Sequence, residues 1–388
     1  MTPVDLEAAE HEAEARAAAV EAELLERAKA EAYEAPFSPS PLGWVVRGLV
    51  ALVPLYLVFV LPLSRPLSDT RLFSQAAIYA IIGLSLNVLI GYTGQISLGH
   101  QAFVGIGSFT SAYLVTVEKL PFPVAVIVAT AVGGLQAVIL GGAALRIRGL
   151  YFALVTLAYG TFASDTIFGI SEFTGGGQGQ LAPLPDFAAS PHRYYYLCLA
   201  ILALVIWLDY RMMKTKGGRA LLALRENPRV ASTFGIDVPA FTLFAFVVAG
   251  TFAGLGGALL AHKNEVVQAQ DYNFQLALVF VIMTVVGGLR SRTGVVIGSA
   301  FFALLPYLIE TFNVESLFRW IADNSFVPFL SKEYAPIVLG PILLLLTLTK
   351  YPGGIGQQIR PITRWLGGHR FNLHDRGDKE VQVSDVRA

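Results

Sequence analysis

The chain has 388 residues, of which 54% are hydrophobic and 14% are charged, whereas soluble domains carry about 25% charged residues. The 28 basic and 28 acidic side chains cancel, so the net charge gives no indication of a nucleic-acid partner. Apolar runs of about 20 residues recur along the chain, and each is long enough to cross a bilayer. The composition therefore predicts an all-α polytopic membrane protein.

Residues 1–41 differ from the rest of the chain. Alanine and glutamate, both strong helix formers, dominate this part, and large apolar side chains are rare. The sequence "PFSPSP" at 36–41 ends the pattern, because proline lacks a backbone donor. We expect a cytoplasmic helical extension, with a helix that docks a partner as the alternative.

Ten apolar segments follow the extension. They lie at 44–63, 72–91, 97–117, 123–145, 149–169, 194–213, 239–262, 274–289, 294–311 and 335–350. Together they predict a transmembrane domain over residues 42–352, followed by a cytoplasmic tail over 353–388. Small residues recur every four positions in several segments, which predicts closely packed helices within one subunit.

The orientation follows from the distribution of lysine and arginine. The loop 214–238 carries the densest group, and the tail carries several more. Basic residues are retained on the cytoplasmic side of membrane proteins. We therefore expect this loop and both termini to be cytoplasmic, in a multi-pass protein of the plasma or inner membrane.

The stretch "NVLIGYTGQISLGHQAFVGIGSF", residues 87–109, is unusually polar for a membrane segment. "GYTG" interrupts the helical pattern, and a new helix is expected from near Ser97. Irregular backbone at membrane depth persists only where protein buries it or where it lines a wet cavity. Polar groups here either line a substrate pathway or brace the bundle through hydrogen bonds. The candidate pathway residues are Asn87, Gln95, Ser97, His100 and Gln101.

The loop 214–238 has the character of short helices. "RALLALREN" favours a helix, Pro228 can begin a second turn, and Gly235 can end it in a left-handed conformation. Such an element can dock a partner protein, or it can serve only to set the topology.

These stretches, together with "TFAGLGGALLAHKN", "VFVIMTVVGGLRSRTGVVIGSAFFALLPYL" and "TKYPGGI", resemble the permease subunits of branched-chain amino acid ABC importers over roughly residues 70–355. The resemblance implies the ABC importer permease fold. It implies a second permease subunit, two cytoplasmic ATP-binding subunits and an extracytoplasmic solute-binding protein as partners. The loop 214–238 would then couple the permease to the ATPase.

The coupling residues that the resemblance implies are Arg225, Glu226, Asn227, Ala231 and Gly235. Importer permeases more broadly have a Glu-Ala-Ala…Gly pattern in this loop, which maps loosely onto Glu226, Ala231 and Gly235. Asn227 and Pro228 stand where alanines are usual.

The sequence has no G-x-x-x-x-G-K-[ST] segment that could bind phosphates, so ATP hydrolysis is expected on a separate chain. We expect no catalytic residue, metal site or cofactor. An ion-coupled secondary transporter is the alternative, with Asp165 and Glu310 as candidate ionisable residues. Branched-chain amino acids are the expected substrates, and urea or amides are the alternative within the same family.

Overall fold

The computed structural model describes residues 41–64, 66–144, 149–311 and 353–366. The helices are α1 Pro41–Phe59, α2 Leu67–Leu86, α3 His100–Thr116, α4 Phe122–Ala144, α5 Leu150–Phe162, α6 Ser171–Thr174, α7 Pro191–Lys214, α8 Lys216–Glu226, α9 Pro228–Thr233, α10 Val238–Asn264, α11 Phe274–Gly287, α12 Arg292–Thr311 and α13 Gly354–Leu366. Shorter elements are the π-helices Asn87–Thr93 and Ala163–Ile167, the 3₁₀ turns Leu61–Ser64, Gly176–Gln178, Asp186–Ala188 and Ala269–Tyr272, and the strands β1 Gln180–Leu181 and β2 Val266–Val267. The predicted all-α polytopic fold is confirmed.

Every predicted apolar segment except 335–350 coincides with a helix. That segment and residues 1–40 of the extension lie outside the described residues. Among the described helices, four are long and apolar enough to cross a membrane by themselves. They are Asp69–Thr93, Phe122–Gly142, Pro191–Lys214 and Val238–Asn264.

The chain bends sharply where the segment predicted over 149–169 ends. Residues 151–167 and 171–178 meet at an angle of 88° and count as a fifth span only if they are taken together. The π-helix Ala163–Ile167 ends α5, and the short helix α6 stops at Gly175, which has a φ of 73°. The sequence pattern did not predict this bend.

The helix α10 lies at the centre of the bundle and packs against α2, α3 and α4. Part of its contact with α4 is made by backbone. A Cβ added at Gly133 would lie 2.5 Å from the Gly250 carbonyl oxygen, and one added at Gly254 would lie 2.9 Å from the Ala129 carbonyl oxygen. Both distances are too short for a side chain, so the spacing of small residues reflects the close packing that the sequence predicted.

A small sheet covers the end of the bundle where α10 finishes. The strands β1 and β2 pair antiparallel, with Gln180 opposite Val267. Because α10 has 27 residues and is therefore roughly 40 Å long, this end lies far from the loop that precedes the helix. The sheet and the loop 214–238 therefore mark opposite ends of the bundle.

Contacts divide the chain into two units, a large one built from residues 55–360 with 376–388 and a small one built from 1–54 with 361–375. In the described part of the small unit, the Arg47 guanidinium lies 5.4 Å from the Trp44 ring centre and 5.3 Å from the Trp365 ring centre. These cation–π contacts hold together two parts of the chain that are distant in sequence.

Candidate functional site

The polar stretch is a π-helix followed by a break. The π-helix Asn87–Thr93 directly continues α2, and Gly94 then adopts a left-handed conformation with a φ of 72°. The helix α3 begins at His100 instead of near Ser97. The Leu98 N–H donates to the Thr156 Oγ1 atom at 3.0 Å, so this backbone is bonded to α5 and not to its own helix. The predicted interruption is confirmed, and the new helix begins three residues later than expected.

Two of the five candidate pathway residues have bonding partners in the bundle. Both Asn87 and His100 are fully buried. The Asn87 Oδ1 atom accepts the Arg290 N–H at 2.9 Å, and the His100 Nε2 atom lies 2.6 Å from the Ser85 Oγ atom. These contacts favour the bracing interpretation for Asn87 and His100.

Within the described residues, the Asn87 Nδ2 and His100 Nδ1 atoms have no partner, and the other three candidates also have polar atoms without one. Ser97 and Gln101 are fully buried, and Gln95 is half-buried. In the described part of the chain, the Ser97 Oγ atom, the Gln95 Oε1 atom and both amide atoms of Gln101 make no hydrogen bond. An unsatisfied buried polar group costs about 1–3 kcal/mol. Their presence in an otherwise well-packed bundle keeps the pathway interpretation open for these three residues.

Two further polar residues of α3, Ser108 and Ser111, bind α10. The Ser108 hydroxyl donates to the Gly257 carbonyl at 2.7 Å. The His262 Nδ1 atom lies 2.7 Å from the Pro183 carbonyl, so this nitrogen carries the proton and the Nε2 atom accepts from the Ser111 hydroxyl at 2.9 Å. These bonds of Ser108 and Ser111 therefore brace the bundle.

One face of α5 is exposed and becomes polar toward the end of the helix. Leu154, Ala158, Thr161 and Asp165 follow at helical spacing, and all are exposed. Exposed polar side chains on a membrane helix usually face a partner or a wet cavity. This face was not predicted, since Asp165 was expected only as a candidate for ion coupling. The side chain of Glu310, the other candidate, lies outside the described part of the chain. Within the described ranges, no group of three His, Cys, Asp or Glu side chains could hold a metal ion.

The loop 214–238 is built from capped short helices. The Thr215 hydroxyl accepts the Gly218 N–H at 3.4 Å and begins α8. The Asn227 side chain accepts the N–H groups of the two residues after Pro228 and begins α9, which explains the departure from the usual alanines. Gly235 has a φ of 77°, so the predicted left-handed end is confirmed.

An open groove of about 570 Å³ lies along α8 and α9. Its apolar lining includes Ala223, Val230 and Phe241, and charged side chains lie at its rim. Phe234 projects from the groove with 81% of its surface exposed. Ala231 lies beneath at 2% exposure. The lining also includes Glu226, Asn227 and Gly235, so four of the five predicted coupling residues lie on or under this surface.

The fifth coupling residue, Arg225, is directed elsewhere. Its guanidinium donates to the carbonyl of Gly91 in the π-helix. The next residue, Glu226, is exposed and lies 3.6 Å from the Arg290 guanidinium. In the isolated chain the charge of Arg225 is used within the bundle, and its role as a coupling residue stays a prediction. The structure brings together two stretches that sequence analysis treated separately.

A buried ionic cluster lies beside this contact. The Tyr92 hydroxyl donates to the Asp209 Oδ2 atom at 3.0 Å, and Arg292 forms an ion pair with the same carboxylate. Asp209 is fully buried. Sequence analysis missed it, although an acidic residue inside the apolar segment 194–213 was a usable signal.

A helical bundle with a broken polar membrane segment and an exposed loop of capped short helices is the architecture of a polytopic membrane protein. The family described as "Branched-chain amino acid transport system / permease component" matches residues 70–347, and the chain belongs to this family.

Individual relatives agree with this assignment. The chain is 27% identical over 352 residues to the high-affinity branched-chain amino acid transport system permease protein LivM of Escherichia coli K12, covering 82% of this chain and 77% of the relative. It is 28% identical over 253 residues to a probable branched-chain amino acid transport permease protein LivH of Methanocaldococcus jannaschii, covering 63% and 73%. A galactose/methyl galactoside import permease, MglC of Haemophilus influenzae, is 23% identical over 289 residues, covering 66% and 83%.

Among solved structures, PsaBC from Streptococcus pneumoniae in complex with Fab matches with a TM-score of 0.40 and 12% identity, covering 76% of this chain and 95% of that one. The family places the chain among transmembrane ABC transporter permeases, and its activity is transport.

Proposed function

We propose that the chain is the membrane-spanning permease subunit of an ATP-driven importer. It pairs with a second permease subunit and receives substrate from an extracytoplasmic binding protein. Two ATP-binding subunits dock at the loop 214–238. The observation that carries the proposal is the groove on α8 and α9, because an open apolar surface with a projecting aromatic side chain is typical of a protein-binding site.

Phe234 is the central residue of the proposed ATPase contact. Its side chain is almost fully exposed, although a phenylalanine gains from burial. Aromatic anchors at interfaces typically contribute about 2 kcal/mol or more. Phe234→Ser should therefore weaken ATPase binding about 30-fold.

The test compares this variant with Phe187→Ser in co-purification and in titration of the ATPase onto the reconstituted permease. Phe187 is 55% exposed and lies near the opposite end of the bundle. ATPase binding should fall for Phe234→Ser and stay unchanged for Phe187→Ser. Equal binding by both variants would remove this loop as the docking site.

For the translocation pathway we propose Gln95, Ser97 and Gln101 together with the exposed face of α5. Gln101 packs directly behind that face, since a Cβ added at Gly160 would lie 2.5 Å from its Nε2 atom. The neighbouring Thr161 is exposed. A small displacement of α5 would bring the unpartnered amide of Gln101 into contact with a passing polar solute.

For the substrate we propose branched-chain amino acids or related small polar solutes. The named relatives in the same family include both branched-chain amino acid and galactose permeases. Uptake of leucine, valine, urea and galactose by the reconstituted complex, each with ATP inside or outside the vesicle, tests this choice. Uptake of galactose alone would overturn the amino-acid proposal.

For the orientation we propose that the loop 214–238 faces the cytoplasm, as the distribution of basic residues predicts. The only cysteine, Cys198, is fully buried, so it will not compete for a membrane-impermeant thiol reagent. Single cysteines at the exposed positions Thr215 and Asp186 should react from opposite sides of the membrane. Reaction of both from the same side would contradict the topology.

A further inference from the structure

The contact between α8 and the π-helix Asn87–Thr93 joins the docking loop to the polar break. The Arg225 guanidinium donates to the Gly91 carbonyl, which belongs to the last turn of the π-helix. The last carbonyls of a helix have no partner in their own helix, and they favour a positive charge. A side chain from the docking loop therefore completes the end of a membrane helix.

We propose that Arg225 is a positioning residue of the transport cycle, through which movement of the docking loop at α8 reaches the polar break after Thr93. This inference rests on the proposed function. It goes beyond that proposal because it assigns to Arg225 a contact inside the permease, in place of a contact with the ATPase.

A second contact leads from the same turn of α8 to the start of the π-helix. Glu226 lies 3.6 Å from the Arg290 guanidinium. The backbone N–H of Arg290 donates to the buried Asn87 Oδ1 atom at 2.9 Å. Consecutive residues of α8 are thus linked to both ends of the π-helix, one directly and one through the turn that precedes α12.

The third contact joins the π-helix to the bundle and not to the docking loop. The Tyr92 hydroxyl donates to Asp209 near the end of α7, and this carboxylate also pairs with Arg292. Asp209 and Tyr92 are both 2% exposed or less. The contact between them therefore fixes the π-helix to the bundle. A displacement of α8 would then turn the end of the π-helix about Tyr92.

The residues that would respond are those of the break. Gly94 follows the π-helix directly, and a Cβ added there would lie 3.4 Å from the Arg225 Cγ atom. Gln95 and Ser97 come next, and among the described residues the Gln95 Oε1 and Ser97 Oγ atoms have no partner. π-helical turns occur often at functional sites because their hydrogen bonds are easily rearranged. A change in the position of the Arg225 side chain would therefore change the direction of these polar groups.

The experiment uses the whole complex, with the second permease, the ATPases and the binding protein, in lipid nanodiscs. A spin label at Ile96→Cys reports the position of the break, since Ile96 is 48% exposed and the native Cys198 is fully buried. The spectrum is recorded without nucleotide and with ATP plus vanadate. Arg225→Ala is compared with Arg225→Lys, which keeps a positive donor, and with Arg211→Ala, an exposed arginine of α7 outside the docking loop.

ATPase co-purification should be the same for all variants. The nucleotide-dependent change of the spectrum and the uptake per ATP hydrolysed should both fall roughly tenfold for Arg225→Ala, which corresponds to the loss of one charge-assisted hydrogen bond. Arg225→Lys should recover at least half of both, and Arg211→Ala should match the unsubstituted complex. If Arg225→Ala does not assemble, Arg225→Gln takes its place with the same expected result.

An unsubstituted complex that responds to nucleotide, together with an equal response and equal uptake in Arg225→Ala, would overturn the role of Arg225 alone. Weaker ATPase binding by Arg225→Ala would also overturn it, because the residue would then act at the docking surface. An unsubstituted complex that binds no ATPase would overturn the proposed function, and the role of Arg225 with it.

Discussion

The polar break and the docking loop are both polar interruptions of an apolar chain, and they differ in what satisfies their polar groups. In the break, Ser97, His100 and Gln101 are fully buried, and some of their polar atoms have no hydrogen-bond partner within the described chain. In the loop, the caps at Thr215 and Asn227 bond their own helix starts, and most charged side chains reach solvent.

The difference determines how each region responds to substitution. A buried polar group without a partner costs stability, while an exposed charge is solvated and contributes little to a contact. Large energetic effects are therefore expected where charges are enclosed beside the break, and small ones on the open side of the loop. We expect the effects of substitution to decrease from the enclosed charges to the exposed ones.

The largest effect is expected at Asp209. Asp209→Ala removes the partner of Arg292 and of the Tyr92 hydroxyl in a buried cluster. Breaking such a pair costs about 3 kcal/mol or more. The melting temperature of the purified complex should fall clearly, and Asp165→Ala, at an exposed position, should leave it unchanged. Equal melting temperatures would mean that the cluster does not hold the π-helix.

A smaller effect, confined to transport, is expected at Gln101. Gln101→Leu replaces an amide whose two polar atoms are unpartnered, so stability should not fall. If the amide contacts the substrate, uptake per assembled complex should drop roughly fivefold, the equivalent of about one neutral hydrogen bond. Normal uptake by a fully assembled variant would leave Gln101 as a bracing residue only.

Gly235 tests the shape of the loop. Its φ of 77° is strained for other residues, and a Cβ there meets no atom within 4 Å, so backbone strain is the only cost. Gly235→Ala should weaken ATPase binding by about 1 kcal/mol. The matched Gly217→Ala, within the helix α8, should have no such cost. Titration of the ATPase onto each variant measures the difference, and equal affinities would contradict it.

The smallest effect is expected at Glu226. The ion pair with Arg290 has a separation of 3.6 Å, and the Glu226 side chain is 63% exposed. Glu226→Gln should change stability by less than about 1 kcal/mol, and the difference should vanish at high salt because ions screen exposed pairs. Thermal unfolding at low and high salt checks this, and a large effect that persists in salt would show that the pair is enclosed in the complex.

Local chemistry allowed parts of both regions to be predicted. The break at "GYTG" and the left-handed Gly235 follow from glycine and proline at fixed positions, and both are confirmed. The bond from Arg225 to Gly91 joins residues 134 positions apart, and no periodicity or spacing in the sequence encodes such a contact. The contact of Arg225 inside the bundle was therefore not predicted.

The same limit applies to burial. The stretch 87–109 was identified from its polar residues, but the sequence does not show which neighbour each of them faces. Ser108 and Ser111 bind α10, while Gln101 packs beside Gly160 of α5. Separating these cases requires the positions of two other helices, which depend on tertiary packing.

The glycine-lined contact between α4 and α10 has a practical consequence for comparing conformations. At Gly133 and Gly254 the two backbones meet with no side chain between them, so this point of the contact contains no rotamer that could change. A pair joined in this way can move as a rigid body but cannot repack by small steps. It is therefore a suitable common frame for superimposing structures captured at different stages of the cycle, against which displacements of the other helices can be measured.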